Sequence, residues 1–167
     1  DEAHRLFKTA STRDYILYCY RVFRKYNCSI FCITQNHKDF LSIPEVADAI
    51  SLARFRALDL HVETKPDRSP VTDADRAVEL AIKEVLAAKR PEDGIVGEEF
   101  GNSGQATRKW IIDPIDGTAN FMRGVPVWAS LIALSVDGKV VLSVVSAPAL
   151  GRRWWAAPEI GAWTRDI

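Results

Sequence analysis

An apolar run at residues 110–112 ends at Asp113, and a second aspartate, Asp116, follows after only two residues. An apolar run that stops at a carboxylate is typical of a buried strand that ends at a site. Pro114 stiffens the turn that follows, and Gly117 lets the backbone approach another group closely. Two carboxylates held so near each other repel, and a divalent cation between them removes that conflict. The segment therefore predicts a strand that ends in an acidic turn suited to a cation.

The other elements are predicted from periodicity and turn signals on both sides of this strand. Thr72 and Asp75 have the spacing of a capping box at the start of a helix over about 73–89. Asp137-Gly138 between two alternating runs indicates a hairpin. The remaining predictions are a helix over 44–57, strands over 58–64, 95–97, 129–136, 140–147, 154–156 and 162–163, a polar loop over 101–108, a turn over 114–118, and a short helix that Thr118 caps and that runs to Met122.

Composition and charge narrow the class of protein. Of the 167 residues, 47% are hydrophobic and 26% charged, which are values of a globular domain. Twenty-two basic residues balance 22 acidic ones, so no basic excess indicates a nucleic acid partner. No run approaches the ~20 apolar residues of a membrane span. The three cysteines, an odd number without regular spacing, argue for a reducing compartment, and a cytoplasmic protein is expected.

The first part of the chain carries no recognisable chemistry. Residues 1–44 are rich in Tyr, Phe, Cys and Arg and are predicted to be an N-terminal extension of unknown role, followed by the functional domain over 45–167. Cys28 and Cys32 have three residues between them, but no second Cys or His pair follows, so a zinc site is not expected there.

Four acidic residues combine into one candidate site. Asp113, Asp116 and Glu98 each end an element or lie in a turn, and oxygen ligands without nearby His or Cys favour Mg²⁺ over Zn²⁺. Two or more such cations suit in-line attack at phosphorus. Gly117 and Thr118 at a helix start offer backbone N–H groups to a phosphate. The Thr118 hydroxyl can hold the attacking water and pass its hydrogen bond to Asp75, as in general-base catalysis.

Simpler explanations exist for each of these residues taken singly. Asp113 can cap the next turn, and Asp116-Gly117 can be an ordinary Asx turn. Asp75 can be an acid that stabilises a helix N-terminus, and Glu98 with Glu99 can be a solvated pair. Lys65 is by default a surface lysine.

The motifs taken together resemble the inositol monophosphatase superfamily. The resemblance depends on residues 97–99 (Gly-Glu-Glu), 110–121 (Trp-Ile-Ile-Asp-Pro-Ile-Asp-Gly-Thr-Ala-Asn-Phe), Lys65 and 70–75 (Pro-Val-Thr-Asp-Ala-Asp). The resemblance implies a layered α/β fold, an α+β sandwich with helices packed on a largely antiparallel sheet. It also implies hydrolysis of the phosphate monoester of a small metabolite, two or three Mg²⁺ ions, inhibition by Li⁺, and a homodimer as in many members.

The resemblance also implies a role for each matching residue. The implied metal ligands are Glu98, Asp113, Asp116 and the main-chain carbonyl of Ile115; the implied catalytic residues are Asp75 and Thr118; the implied phosphate-binding groups are the amides of Gly117 and Thr118; and Lys65 is implied to lie near the metal site.

Further segments are similar to bacterial histidinol-phosphatases of this superfamily. These are residues 54–67, 123–134 and 152–156. The substrate expected from them is histidinol phosphate, an intermediate of histidine biosynthesis; an inositol phosphate or a broader range of sugar phosphates is the alternative. A redox-linked nucleotide phosphatase of the same superfamily is less in keeping with the segment at 123–126.

The resemblance covers about residues 45–167, whereas members of the superfamily continue for roughly as long again. The part without a counterpart contains a second α/β layer and a further aspartate ligand. The chain is therefore expected to be a truncated, N-terminal metal-binding half with little activity alone. A non-catalytic metal- or phosphate-binding fragment is the alternative function of another class.

Overall fold

The computed structural model describes the backbone of residues 36–158 and 161–167. The chain divides into two compact units, Asp1–Leu41 and Ser42–Ile167. Most of the extension predicted at 1–44, with its three cysteines, lies outside the described residues, and its role stays a prediction. No helix in the described ranges has the length and apolar character needed to cross a membrane.

Two helices precede most of the sheet, and both were predicted from periodicity. Helix α1 spans Asn36–Arg54, so it begins before the predicted residue 44 and contains Pro44 in its interior instead of at its first turn. It also ends before the predicted residue 57, since the backbone turns into the left-handed region at Arg56, with φ of 64°. Helix α2 spans Asp73–Lys89, as predicted.

A small hairpin leads into α2 and sets its first residue. Strands β1 (Val62–Thr64) and β2 (Pro70–Thr72) pair antiparallel, so the predicted strand over 58–64 is confirmed only in its last three residues. Thr72 is the N-cap of α2, and its hydroxyl accepts the N–H of Asp75 while the Asp75 carboxylate accepts the N–H of Thr72 at 2.8 Å. The predicted capping box is therefore present.

Seven further strands form one sheet. They are β3 (Gly94–Gly97), β4 (Gly101–Ser103), β5 (Arg108–Asp116), β6 (Ala129–Val136), β7 (Lys139–Ala147), β8 (Arg152–Ala157) and β9 (Gly161–Asp166). Their order is β4-β3-β5-β6-β7-β8-β9, and every neighbouring pair is antiparallel except β3 with β5. The predicted α/β fold with helices and a largely antiparallel sheet is confirmed, including the hairpin of β6 and β7. Strand β4 lies in what was predicted to be a polar loop.

Strand β5 continues past the point where the sequence predicted a turn. Asp113 lies opposite Leu131 and Asp116 opposite Ala129, so β5 has one extra residue between these pairs and forms a bulge. Gly117 then adopts φ of 91° and is the N-cap of helix α3 (Thr118–Met122), a position that was predicted for Thr118. A side chain at 117 would be both strained and 3.1 Å from the Val127 carbonyl.

An aromatic cluster anchors α3 beside the end of α1. The ring of Phe121 lies 4.9 Å from that of Trp128 and 5.5 Å from that of Phe55, and Phe55 and Trp128 are 5.4 Å apart. Phe121 and Trp128 are buried together with Ile115 and Ala74, which belong to β5 and α2. This packing fixes the start of α3 against the bulge of β5 and the first turn of α2, where the candidate residues Thr118, Ile115 and Asp75 lie.

Candidate active site

A buried aspartate and a threonine from distant elements share one hydrogen bond. Asp75, in the first turn of α2, is 1% exposed. Its Oδ2 accepts hydrogen bonds from the N–H and the hydroxyl of Thr72, and its Oδ1 lies 3.2 Å from the Thr118 hydroxyl. Burial raises the pKa of Asp75, and the hydrogen bonds from Thr72 and Thr118 partly oppose that rise. The structure thus brings the two predicted catalytic residues together.

The Thr118 hydroxyl has a second acceptor, the main-chain carbonyl of Ile115, at 3.0 Å. Because a hydroxyl carries a single proton, it donates to only one of these two oxygens at a time, and its own lone pairs stay open to another donor. The side chain of Ile115 is in the core, whereas its carbonyl faces the Thr118 hydroxyl. Asp75, Ile115 and Thr118 therefore meet at one point, although they come from α2, the β5 bulge and α3.

Asp113 lies in a surplus of negative charge. Burial, a hydrogen bond with Glu98 and the charges of Glu98, Asp116 and Asp75 raise the pKa of Asp113 to about 8. Its Oδ1 is buried and has no hydrogen-bond partner in the described part of the chain. A buried carboxyl oxygen without a donor, next to other carboxylates, is the environment in which a cation relieves the repulsion.

Lys65 supplies the cation that lies beside these carboxylates in the structure. Its ammonium group contacts Glu98 Oε1 at 2.9 Å and Glu99 Oε1 at 2.7 Å. Partial burial acts to lower the pKa of Lys65, but the hydrogen bonds to Glu99 and Glu98 outweigh it and raise this pKa above its ordinary value. For Glu98, burial is likewise opposed by hydrogen bonds from Lys65 and Asp113, and the net pKa is lowered.

The oxygen-only donor set fits a hard divalent ion such as Mg²⁺ better than Zn²⁺. In the structure, the proposed ligands are only partly arranged to hold such an ion. Glu98 and Asp113 are in hydrogen-bond contact, and Asp116 acts on Asp113 through its charge while its side chain is exposed. Across the described ranges, no three His, Cys, Asp or Glu side chains converge as a ready-made metal site. The ligand roles of Glu98, Asp113, Asp116 and Ile115, and the phosphate-binding role of the Gly117 and Thr118 amides, stay predictions.

One residue that supports this site has no counterpart among the predictions from sequence. Glu79 of α2 is completely buried, and its carboxylate accepts the N–H groups of Glu99 and Phe100 at 2.7 and 3.1 Å. Its position in the helical pattern, directly after the buried Val78, was the only available signal, and an acid there is unremarkable without its partners.

Comparisons with known proteins find relatives for much of this chain. The sequence profile described as "Inositol monophosphatase family" matches residues 40–166. The chain is 60% identical to a histidinol-phosphatase of Mycobacterium tuberculosis over 124 residues, which are 74% of this chain and 48% of that protein. It is 40% identical to an inositol-1-monophosphatase of Mycobacterium leprae over 103 residues, which are 58% of this chain and 35% of that protein.

A solved structure resembles the described fold over much of the chain. The IMPase of Thermotoga maritima superposes with a TM-score of 0.72 and 32% identity, covering 78% of this chain and 52% of that one. The chain thus spans about half the length of the M. tuberculosis and T. maritima proteins that it matches.

Proposed function

Because this chain belongs to the inositol monophosphatase family, we propose that its acidic site takes part in the magnesium-dependent hydrolysis of a phosphate monoester. The observation that carries the proposal is the contact of Thr118 with Asp75, next to the Asp113 carboxyl that has an unpaired buried oxygen. The pair of Thr118 and Asp75 is suited to take a proton from water, and the Asp113 carboxylate is suited to bind a cation.

The residues of the chain divide this chemistry between them. Glu98, Asp113, Asp116 and the Ile115 carbonyl are proposed to hold Mg²⁺, which when bound polarises water and neutralises phosphate charge. The Thr118 hydroxyl accepts a hydrogen bond from the attacking water and donates its own proton toward Asp75. The proton of the water passes through the Thr118 hydroxyl to Asp75, and the water oxygen forms the new bond to phosphorus. The bond from phosphorus to the ester oxygen breaks, and the leaving oxygen takes a proton from the solvent. Asp75 is suited to be the base because burial raises its pKa.

The proposed substrate is histidinol phosphate. Identity is 60% to the histidinol-phosphatase of M. tuberculosis but 40% to the inositol-1-monophosphatase of M. leprae, and the match to the former covers more of the chain. The residues at 54–67, 123–134 and 152–156 support the same choice. An inositol phosphate or a range of sugar phosphates is the alternative substrate class.

A non-catalytic role in binding a metal or phosphate is the second candidate function. It is supported by the unpaired buried oxygen of Asp113, which suits a cation whether or not hydrolysis follows.

A single set of measurements separates these functions. Phosphate release by the 167-residue chain is measured from histidinol phosphate, inositol 1-phosphate and a sugar phosphate, each with Mg²⁺ and with EDTA. Mn²⁺ binding is measured in parallel by calorimetry. Release from histidinol phosphate that requires Mg²⁺ supports the enzyme, whereas Mn²⁺ binding without release from any substrate supports the binding module. If neither occurs, the proposed site is refuted.

A further inference from the structure

Glu79 makes a set of contacts that links α2 to the acidic turn. Its side chain is 0% exposed, which is rare for a glutamate unless its oxygens have strong partners. Both carboxylate oxygens are occupied: Oε2 accepts the N–H of Glu99 and Oε1 accepts the N–H of Phe100. Bonds from backbone N–H groups to an ionised carboxylate are among the stronger hydrogen bonds in proteins. Glu79 is therefore fastened to two consecutive residues of the turn that follows β3.

Gly97 makes room for this arrangement. A Cβ atom at position 97 would lie 1.8 Å from Glu79 Oε1 and 2.4 Å from its carboxyl carbon, so no other residue fits while the carboxylate stays in place. The backbone of β3 and the carboxylate of Glu79 are thus in direct contact. Gly97 is needed here for space, since its φ is not in the left-handed region.

The turn itself is held on two sides. The N–H of Glu98 donates to the carbonyl of Ile112 at 3.1 Å, which keeps this residue paired with β5 next to Asp113. The next two N–H groups donate to Glu79. With three consecutive backbone N–H groups fixed, the Glu98 side chain is directed to Asp113 and Lys65, and the Glu99 side chain is directed to Lys65.

We propose that Glu79 is a positioning residue that holds the 98–100 turn so that Glu98 can bind the cation beside Asp113. The inference rests on the proposed function, because the position of Glu98 affects cation binding only if Glu98 is a metal ligand. Both of its carboxylate oxygens accept backbone N–H groups, so Glu79 acts through the backbone of the turn. Groups in this position behind a metal ligand typically change metal affinity by about 10–100-fold when they are replaced.

The test uses Glu79→Gln in the 167-residue chain, with Glu84→Gln as the matched control. Glu84 lies on the same helix but is exposed, so its substitution removes the same charge without touching the turn. An amide has one acceptor oxygen, so Gln at 79 leaves one of the two N–H groups without a partner. Amide hydrogen exchange of residues 99 and 100 is followed in metal-free protein, and Mn²⁺ affinity is measured by calorimetry.

We expect Glu79→Gln to speed exchange at residue 99 or 100 by about tenfold, the effect of losing one ordinary hydrogen bond. We expect the affinity for Mn²⁺ to fall by about 10–100-fold, while Glu84→Gln changes neither quantity. Unchanged exchange, or faster exchange with unchanged Mn²⁺ affinity, overturns the positioning role. If wild type binds no Mn²⁺, the proposed function itself fails and this inference fails with it.

A second variant covers the case in which Glu79→Gln does not fold. Glu79→Asp keeps the charge and withdraws the carboxylate by one methylene from the N–H groups of Glu99 and Phe100. Thermal unfolding establishes that each variant is folded before the two measurements are made. A folded Glu79→Asp variant with wild-type exchange and wild-type Mn²⁺ affinity contradicts the proposal in the same way.

Discussion

The Thr118 hydroxyl lies 3.2 Å from Asp75 Oδ1, although 43 residues separate them in the sequence. Each side of this contact is held by its own element. Asp75 is fixed through its other oxygen by Thr72, the N-cap of α2, and Thr118 begins α3 directly after the left-handed Gly117. A proton acceptor and a hydroxyl held in this way need little rearrangement to act on a water molecule.

Replacing Thr118 by alanine is expected to lower kcat by about 10²–10⁴-fold, the usual contribution of positioned proton transfer. The variant removes the hydroxyl that contacts Asp75 and keeps every proposed metal ligand. Among those ligands, only the Ile115 carbonyl loses a hydrogen-bond donor. Initial rates of Mg²⁺-dependent phosphate release measure the effect, and calorimetry shows whether Mn²⁺ binding is retained.

Thr118→Ser is the matched control, because serine keeps the hydroxyl and loses only a methyl group. We expect it to retain most of the activity and the alanine variant to retain most of the metal affinity. Equal losses of activity in the serine and alanine variants contradict the role of the hydroxyl and indicate that the methyl group packs the start of α3.

The parts of the site that were predictable from sequence depend on neighbours along the chain. The capping box of Thr72 and Asp75 and the hairpin at Asp137 are local patterns with one structural solution each, and both are present. The bulge in β5 was not predictable, because it depends on how residues 113–116 pair with a strand that comes later. For the same reason no local signal identified Glu79, whose partners lie 20 and 21 residues away.

The raised pKa of Asp113 makes the stability of the metal-free protein depend on pH. Its pKa is about 8 in the folded state against an ordinary 3.8, so between these values the folded protein holds a proton that the unfolded chain has lost. The contribution of Asp113 to the free energy of unfolding is therefore fully present below about pH 4 and is lost as the pH rises toward 8. Urea unfolding in EDTA at several pH values, compared between wild type and Asp113→Asn, isolates this contribution.

Asp113→Asn removes the charge and keeps a group that can hydrogen bond with Glu98. In EDTA at neutral pH we expect this variant to be more stable than wild type, and we expect the difference to shrink as the pH falls. Mg²⁺ is expected to stabilise wild type increasingly as the pH rises, and to leave the variant unchanged and inactive. A variant that is less stable at every pH, with wild-type turnover, indicates that Asp113 only caps the turn.

Lys65→Met is expected to lower the thermal stability of the metal-free protein and to increase the stabilisation that Mg²⁺ gives. Without the ammonium group, Glu98 and Glu99 lose their shared cation, and the loss of such charged hydrogen bonds typically costs about 1.5–3 kcal/mol. Because Lys65 occupies Glu98 in the absence of metal, its removal frees that carboxylate for a divalent ion. Thermal unfolding with EDTA and with increasing Mg²⁺ measures both effects.

Lys139→Met, at the exposed start of β7, controls for the loss of one positive charge. It is expected to leave the stability and the Mg²⁺ response close to those of wild type. If the Lys65 variant instead loses its Mg²⁺ response, Lys65 assists cation binding and does not compete with it.

A buried ion pair joins α1 to the distal strands, and breaking it is expected to be costly. Arg153 Nη2 lies 2.6 Å from Asp48 Oδ2, and Ser146 bonds with both residues. Arg153 is 2% exposed and Asp48 8%. Arg153→Met leaves a buried carboxylate without its cation, so we expect a loss of about 3–5 kcal/mol in the free energy of unfolding. Urea unfolding measures the loss.

Arg152→Met is the matched control, because Arg152 precedes Arg153 but pairs at 3.2 Å with Asp166, whose side chain is 86% exposed. Exposed pairs contribute about 0–1 kcal/mol, so little change is expected.

Replacing both members of the buried pair, as Asp48→Leu with Arg153→Met, is expected to cost less than the two single changes together, because neither charge is then left buried alone. Within the described residues, Asp48 Oδ1 and Arg153 Nη1 have no hydrogen-bond partner, which limits what the pair contributes over an apolar replacement. Additive losses in the double variant would contradict a direct coupling between the two side chains.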